Sequence, residues 1–358
     1  MKTYLVTGGA GFIGSNFVKH ALLDEDVQVL CMDKLTYAGN IDNLREELKS
    51  KRLKFIRRDI NDIDALKWAF SKWDVDKVIN FAAESHVDRS IDDPQIFLKT
   101  NVLGTQSLLK AARKYWETSD GYKEGKRFVH ISTDEVYGSI KKGKFSEKSQ
   151  LDSHSPYAAS KAAADLIVKA YVDTYKFPAV ITRCSNNYGP YQFPEKIIPL
   201  MLSNMLSGKE LPVYGKGQNV RDWIHVMDHC RAVDMVMAKG RVGEVYNIGA
   251  DCERKNIDLV KLLMRKLGLM LEEEPKYKKL LKSGRISSKI AFVKDRPGHD
   301  FRYAMDSRKI RKLGWKPEIK FDDGIRLTIK WYLDNIAWLK NVISGDYQRY
   351  YEKMYSNR

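Results

Sequence analysis

Seven residues near the start of the chain, Gly8-Gly9-Ala10-Gly11-Phe12-Ile13-Gly14, constrain its fold more than any other stretch. They follow a short β-branched run, Lys2 to Thr7, and open an amphipathic segment, Phe12 to Leu23. Glycines at this spacing allow a tight turn from strand into helix and let backbone N–H groups approach a pyrophosphate. A bare G-x-G-x-x-G is common, but between a strand and a helix it is the fingerprint of a dinucleotide-binding unit. About 20 residues on, the second strand ends in Asp33, whose carboxylate suits the adenosine ribose hydroxyls. Its charge repels a 2′-phosphate, so NAD is expected rather than NADP, with Lys34 the one neighbour that favours the phosphate.

The pattern that follows alternates β-branched runs with helical periodicity. Strands are predicted at Val27 to Asp33, Leu53 to Arg57, Lys77 to Phe81, Arg127 to Thr133 and Ala179 to Thr182. Helices are predicted at Phe12 to Leu23, Ile63 to Trp73, Pro94 to Tyr115 and Ser155 to Tyr175. This is an α/β protein with a doubly wound parallel (Rossmann) sheet, whose ligands sit at the carboxyl ends of the strands. After Cys184 the pattern turns irregular, which predicts a dinucleotide-binding domain over 1–183 and a smaller, loop-rich substrate domain over 184–358. Segments within 220–250, such as Glu244 to Ile248, are candidates to return to the first sheet.

Charge narrows the partners. The chain of 358 residues carries a net charge of +16, but its basic residues are scattered among acidic ones and accompany no nucleic-acid-binding motif. A basic surface that attracts an anionic small molecule is the simpler meaning, and no nucleic-acid partner is expected. Cys31, Cys184, Cys230 and Cys252 form no C-x-x-C pair and have no histidine at ligand spacing, so reduced thiols and no metal are expected. Met1 runs directly into the first strand, and no apolar run approaches the roughly 18 residues of a membrane span. A cytoplasmic protein without membrane contact is expected.

Two constellations carry chemistry. Tyr157 and Lys161 stand four apart on one helix, so their side chains share a face. A phenol with an ordinary pKa near ~10 becomes a usable base if an ammonium and a cationic nicotinamide favour its phenolate. The fifth strand ends in Ser132-Thr133-Asp134-Glu135-Val136-Tyr137-Gly138, placing two adjacent acids at the edge that faces the expected cofactor. Thr133 suffices to assist Tyr157 in an oxidation. Two further acids imply further proton transfers, such as removal of a proton next to a new ketone and protonation of a departing hydroxide. Asp59, after the third strand, is placed to reach an adenine, and Ala82-Ala83-Glu84-Ser85 puts small residues where a cofactor passes closely.

These residues, together with Asp33 to Asn40, Ala82 to Ser90, Arg183 to Tyr191, Val220 to Trp223 and Asp295 to Asp300, resemble the extended short-chain dehydrogenase/reductases. Within them the chain is similar to the dTDP-glucose 4,6-dehydratase family over nearly its whole length. The resemblance implies that Tyr157, helped by Thr133 and Lys161, takes the proton of the sugar 4-hydroxyl. Glu135 then takes the C5 proton while Asp134 protonates the departing C6 hydroxyl. For the cofactor it implies Gly8, Gly11, Phe12, Ile13, Gly14, Asp33, Lys34, Leu35 and Thr36. It adds Asp59, Ile60, Ala82, Ala83, Ser85, Thr100, Tyr157, Lys161 and Asn187. For the nucleotide sugar it implies Ser85, Thr133, Asn186, Lys196, Ile197, Pro212, Tyr214, Arg221, Asn256, Arg296, His299 and Tyr303. Arginine suits a diphosphate because its guanidinium binds phosphate oxygens bidentately.

The resemblance also implies a homodimer formed by Pro94 to Trp116 and Ser155 to Tyr175, with Leu98, Leu108, Ala112, Tyr115, Ala162, Leu166 and Tyr171 as candidates for its contacts. The same side chains equally suit packing on the chain's own sheet. The basic segment Lys276 to Arg285 has no counterpart role and reads as a charged surface helix. A UDP- or CDP-glucose 4,6-dehydratase fits the same motifs, because base recognition lies in loops. The acid pair argues against a UDP-sugar 4-epimerase, and the intact Tyr157, Lys161 and acids argue against an idle NAD-sensing module.

Overall fold

Seven β-branched runs assemble into one parallel sheet. The strands are β1 (Lys2–Thr7), β2 (Val27–Asp33), β3 (Leu53–Arg57), β4 (Val75–Asn80), β5 (Arg127–Thr133), β6 (Ala179–Cys184) and β7 (Val245–Ile248), ordered β7-β6-β5-β4-β1-β2-β3. Every neighbouring pair is parallel. The computed structural model describes residues 1–343, so the end of the expected 184–358 domain lies outside the described residues. The order reverses between β1 and β4, which opens a crevice where the glycine turn leaves β1. Alternate residues serve opposite faces: Val6 and Cys31 enter one core, Leu5 and Leu30 the other.

The main helices are α1 (Phe12–Ala21), α2 (Ile63–Lys72), α3 (Thr105–Trp116), α4 (Pro156–Tyr175), α5 (Ile197–Ser207), α6 (Val226–Lys239), α7 (Asn256–Glu273) and α8 (Phe321–Asp334). The expected helix over Pro94 to Tyr115 is not uniform. An α-turn at Pro94–Phe97 widens into a π-helical stretch, Leu98–Gly104, before α3 begins. Asn101 in that stretch accepts the Glu84 N–H (2.9 Å) and donates to the Glu84 carbonyl (3.0 Å) and Ser160 Oγ (2.8 Å). The wide turn therefore clamps the loop after β4 to α4, as π-bulges at functional sites often do.

The chain leaves the sheet after β6 and comes back. Helix α6 packs with α1 in the first core through Val226, Cys230 and Val233, and β7 pairs with β6. Val220–His225 does not join the main sheet: it pairs with Asn186–Tyr188 and Glu253–Lys255. A separate core of Ile198, Leu202, Leu259, Leu263, Ile325 and Ile329 joins α5, α7 and α8. The second cleft is built on this unit. Lys276 to Arg285 corrects the expectation of a surface helix. Only Pro275–Leu280 turns, as a 3₁₀ helix, and Tyr277 and Leu281 are buried in this core while the lysines point outward.

The apolar candidates for a dimer face divide. Leu108 and Ala112 are fully buried in the chain's own core and Ala162 is buried, so these do not form an outer face. Leu98, Leu103 and Leu166 are more than half exposed.

Candidate active site

The glycine turn has the geometry its sequence predicts. Gly8 has φ +66°, and a Cβ there would lie 2.6 Å from the Ala82 nitrogen. A Cβ on Gly14 would lie 2.2 Å from the Gly8 carbonyl oxygen. The turn can sit tightly between β4 and α1 only because both positions lack side chains. Gly11 caps α1 without a side-chain hydrogen bond, so its first-turn N–H groups remain available to an anion. Gly14→Ala should cost about 1–3 kcal/mol of stability by overpacking and weaken NAD binding roughly tenfold, equivalent to about 1.4 kcal/mol. Unchanged melting and NAD titration curves would show that the turn tolerates a methyl group.

A cleft of about 1590 Å³ runs from this turn to the end of β5. Asp33 accepts the Ala10 N–H (2.9 Å) on one oxygen and the Leu35 N–H (2.8 Å) on the other, which fixes its carboxylate at the cleft edge. Leu35 itself lies off the cleft wall; with φ +56° it aims its N–H at Asp33. Lys34 donates to Asp59 at 2.9 Å, so the one cation that favoured NADP is engaged by a carboxylate. The remaining residues expected to touch the cofactor, from Gly8 to Asn187, all line this cleft. The glycine approach, the uncapped helix start and the fixed Asp33 fit NAD.

At the far end stand the acids and the phenol. Asp134 and Glu135 lie on a 3₁₀ turn (Asp134–Tyr137) capped by Thr133, whose Oγ1 accepts the Glu135 N–H at 3.3 Å and donates to Asp134 Oδ1 at 3.3 Å. Tyr157 shares a hydrogen bond with Thr133 and packs edge-on against Phe97 at 6.3 Å. Burial pushes Asp134 well above the usual carboxylate range, and the Glu135 charge adds to that push. Burial raises Glu135 too, but Arg296, Lys196 and Arg221 oppose the rise. The two acids thus differ, with Asp134 the better proton holder. Burial also raises Tyr157 well above its ordinary value, and the Thr133 hydrogen bond opposes this. Lys161 makes its hydrogen bond elsewhere than to the phenol: its ammonium donates to the Ile131 carbonyl at 2.5 Å, and burial lowers it to about 8.

A second cleft of about 960 Å³ meets the first at Glu135, Asn186, Asn187, Gln192, Glu195 and Lys196. Ile197, Pro212, Tyr214, Arg221, Asn256, Arg296 and His299 line it; Ser85 and Thr133 stand on the first cleft. Arg221 is braced by the Asp300 carbonyl (2.9 Å) and lies over the Tyr303 ring at 4.3 Å. Tyr303 is on neither wall; it supports Arg221 from below and donates to Asp300 Oδ2 at 2.8 Å. Lys196 donates to the Ser85 carbonyl at 2.9 Å, and burial lowers His299 to about 4. Three cations, Lys196, Arg221 and Arg296, therefore surround Glu135.

The roles of two further acids, Glu84 on the first cleft and Glu195 where the clefts join, are not legible in the sequence. Glu84 is raised to about 7 by burial and by the neighbouring Glu195. Glu195 accepts from Tyr37 at 3.1 Å, and the Arg89 guanidinium lies 3.8 Å from the Tyr37 ring centre. Tyr37, Glu84 and Arg89 lie within the stretches Asp33 to Asn40 and Ala82 to Ser90, but Glu195 lies in neither, and no spacing along the chain announces that the three segments meet. All four cysteines are free, and burial pushes Cys184 up to about 12, so it is an inert thiol. Among the described residues no cluster of three or more His, Cys, Asp or Glu is placed to hold a metal.

Sheet order, glycine turn and a Tyr-Lys helix beside a second anion-binding cleft together define an extended short-chain dehydrogenase/reductase of the nucleotide-sugar type. Comparison with known proteins narrows the class. The sequence pattern of the GDP-mannose 4,6 dehydratase family matches residues 5–328. A dTDP-glucose 4,6-dehydratase of Shigella flexneri is 48% identical over 99% of this chain and 99% of its own. The crystal structure of the dTDP-glucose 4,6-dehydratase DesIV from Streptomyces venezuelae, with NAD bound, superposes with a TM-score of 0.85 at 46% identity, covering 95% of this chain and 99% of that one. A UDP-glucose 4-epimerase of Thermotoga maritima shares the fold at 28% identity, with a TM-score of 0.80 over 93% of this chain and 99% of that one. The chain belongs to the dTDP-glucose 4,6-dehydratase family.

Proposed function

We propose that the chain is an NAD-dependent dehydratase that converts dTDP-glucose into dTDP-4-dehydro-6-deoxyglucose and water. The observation that carries this reading is the acid pair Asp134 and Glu135 on the capped turn beside Tyr157, where the two clefts meet. NAD bound in the first cleft supplies a hydride acceptor that ends the reaction as it began. Tyr157 takes the 4-hydroxyl proton as C4 is oxidised, with Thr133 holding the phenol oxygen. The new ketone acidifies C5–H. Glu135, kept the more ionised of the pair by the three cations around it, takes that proton. Asp134, which burial keeps protonated, delivers a proton to the C6 hydroxyl, so water leaves; as C6 is reduced in turn, Glu135 returns its proton to C5. Arg221, Arg296 and Lys196 hold the diphosphate, on the chemistry of guanidinium and ammonium with phosphate.

Incubation with dTDP-, UDP- and CDP-glucose, followed by NMR of the products, tests the reading. The expected result is a 4-keto-6-deoxy sugar, formed fastest from dTDP-glucose and without accumulation of NADH. Formation of dTDP-galactose would sink the dehydratase assignment, and faster turnover of UDP- or CDP-glucose would shift the base preference.

A homodimer through the π-helical stretch and α4 is supported by the exposed Leu98, Leu103 and Leu166, which a second copy would cover. Among the described residues no helix is long and apolar enough to cross a membrane.

A further inference from the structure

Tyr157, Lys161 and Asp165 follow one another at four-residue steps along the inner face of α4, each buried. Asp165 is the deepest and touches neither cleft. Its Oδ2 accepts from Arg183 Nε on β6 at 2.8 Å, and Arg183 Nη1 donates to the Tyr137 hydroxyl at 2.8 Å. That hydroxyl donates to Asn247 Oδ1 on β7, also at 2.8 Å. On β5, His130 Nε2 stands 3.5 Å from Asp165 Oδ1. Asn80 accepts from the Thr7 hydroxyl at 2.7 Å, so its amide nitrogen faces His130 Nδ1 at 3.4 Å as a donor. His130 therefore carries its proton on Nε2, is neutral, and points an N–H toward Asp165. Cys184 beside Arg183 is a neutral thiol.

The charges in this enclosure are two cations, Lys161 and Arg183, and one anion, Asp165. A guanidinium does not deprotonate inside a protein, so any shortfall of negative charge falls on the ammonium. We propose that Asp165 is a positioning residue that keeps Lys161 cationic beneath Tyr157, and that it thereby sets the alkaline limit of the reaction without touching any ligand. Burial works against the Lys161 charge, and Asp165 is the first group that opposes it.

Two variants separate this role from a structural one. Asp165→Asn keeps an acceptor for Arg183 but removes the anion. Arg183→Gln breaks the same contact but removes a cation. If the pair only ties α4 to β6, both variants lose activity alike at every pH. On the proposal, the alkaline limb of kcat for dTDP-glucose moves down by about 1 pH unit in Asp165→Asn and up in Arg183→Gln. Shifts in the same direction, or none, overturn it. Should Asp165→Asn fail to fold, Arg183→Gln decides alone, an unmoved or lowered limb being fatal. This kinetic arm rests on the dehydratase reading. The titration of Lys161 itself, followed by NMR of ¹³Cε-lysine protein and assigned with Lys161→Arg, needs no turnover. Midpoints that move in opposite directions support the proposal even if the wild-type protein makes no product, and unmoved midpoints overturn it even if it does.

Discussion

Glu135→Gln should lower dTDP-glucose turnover by roughly 10³-fold, within the range for loss of a general base, while hydrogen at C4 still exchanges with the cofactor. The amide matches the carboxylate in shape, so the capping contact of its backbone N–H with Thr133 survives. What disappears is the acceptor for the C5 proton. In solvent D₂O the wild-type protein should place deuterium at C5, and the variant should not; undiminished C5 exchange would remove Glu135 from this role. The sign with pH follows from the same environment. Burial raises the Glu135 carboxyl, and only its ionised form accepts a proton, so activity is present above its pKa and falls as pH drops through it.

Tyr157→Phe should cost about 10³–10⁴ in kcat with little change in KM, because the phenol acts on the reacting hydroxyl and not on the nucleotide. The ring keeps its edge-on contact with Phe97, so the melting temperature should stay close to that of the wild-type protein. Steady-state kinetics with C4-deuterated substrate checks the step: the variant should show a larger isotope effect as oxidation becomes limiting. Activity within tenfold of the wild-type protein would mean that another group, with Thr133 nearest, takes the proton.

The local sequence carried much of this. Strand boundaries at Lys2–Thr7, Val27–Asp33, Leu53–Arg57 and Arg127–Thr133 match the sequence runs to the residue; in the interior strands this is because a strand buried on both faces must be nearly all apolar, while Leu53–Arg57 is an edge strand with Lys54 and Arg57 exposed. The glycine turn was legible because Gly8 and Gly14 meet a steric demand that other residues cannot satisfy. Where an expectation needed a partner from elsewhere, it was open. The helix from Pro94 hid its π-helical stretch because nothing in its periodicity announces the bond from Asn101 to Glu84. The lysines after Pro275 suggested a surface helix, yet Tyr277 and Leu281 are drawn into a core formed by α5, α7 and α8.

By itself, the sequence determined the sheet, its cofactor edge and the identity of Tyr157, Lys161, Asp134 and Glu135 as neighbours of that edge. These follow from steps of two along strands and four along helices, which are properties of local geometry. The protonation states of those groups were decided only by the tertiary structure. Lys161 turns to Ile131 rather than to the phenol, Asp134 is closed off from water, and Glu135 gathers cations from segments 61, 86 and 161 residues away in the chain. Desolvation and charge depend on what packs around a side chain in space, and no spacing along the chain records that.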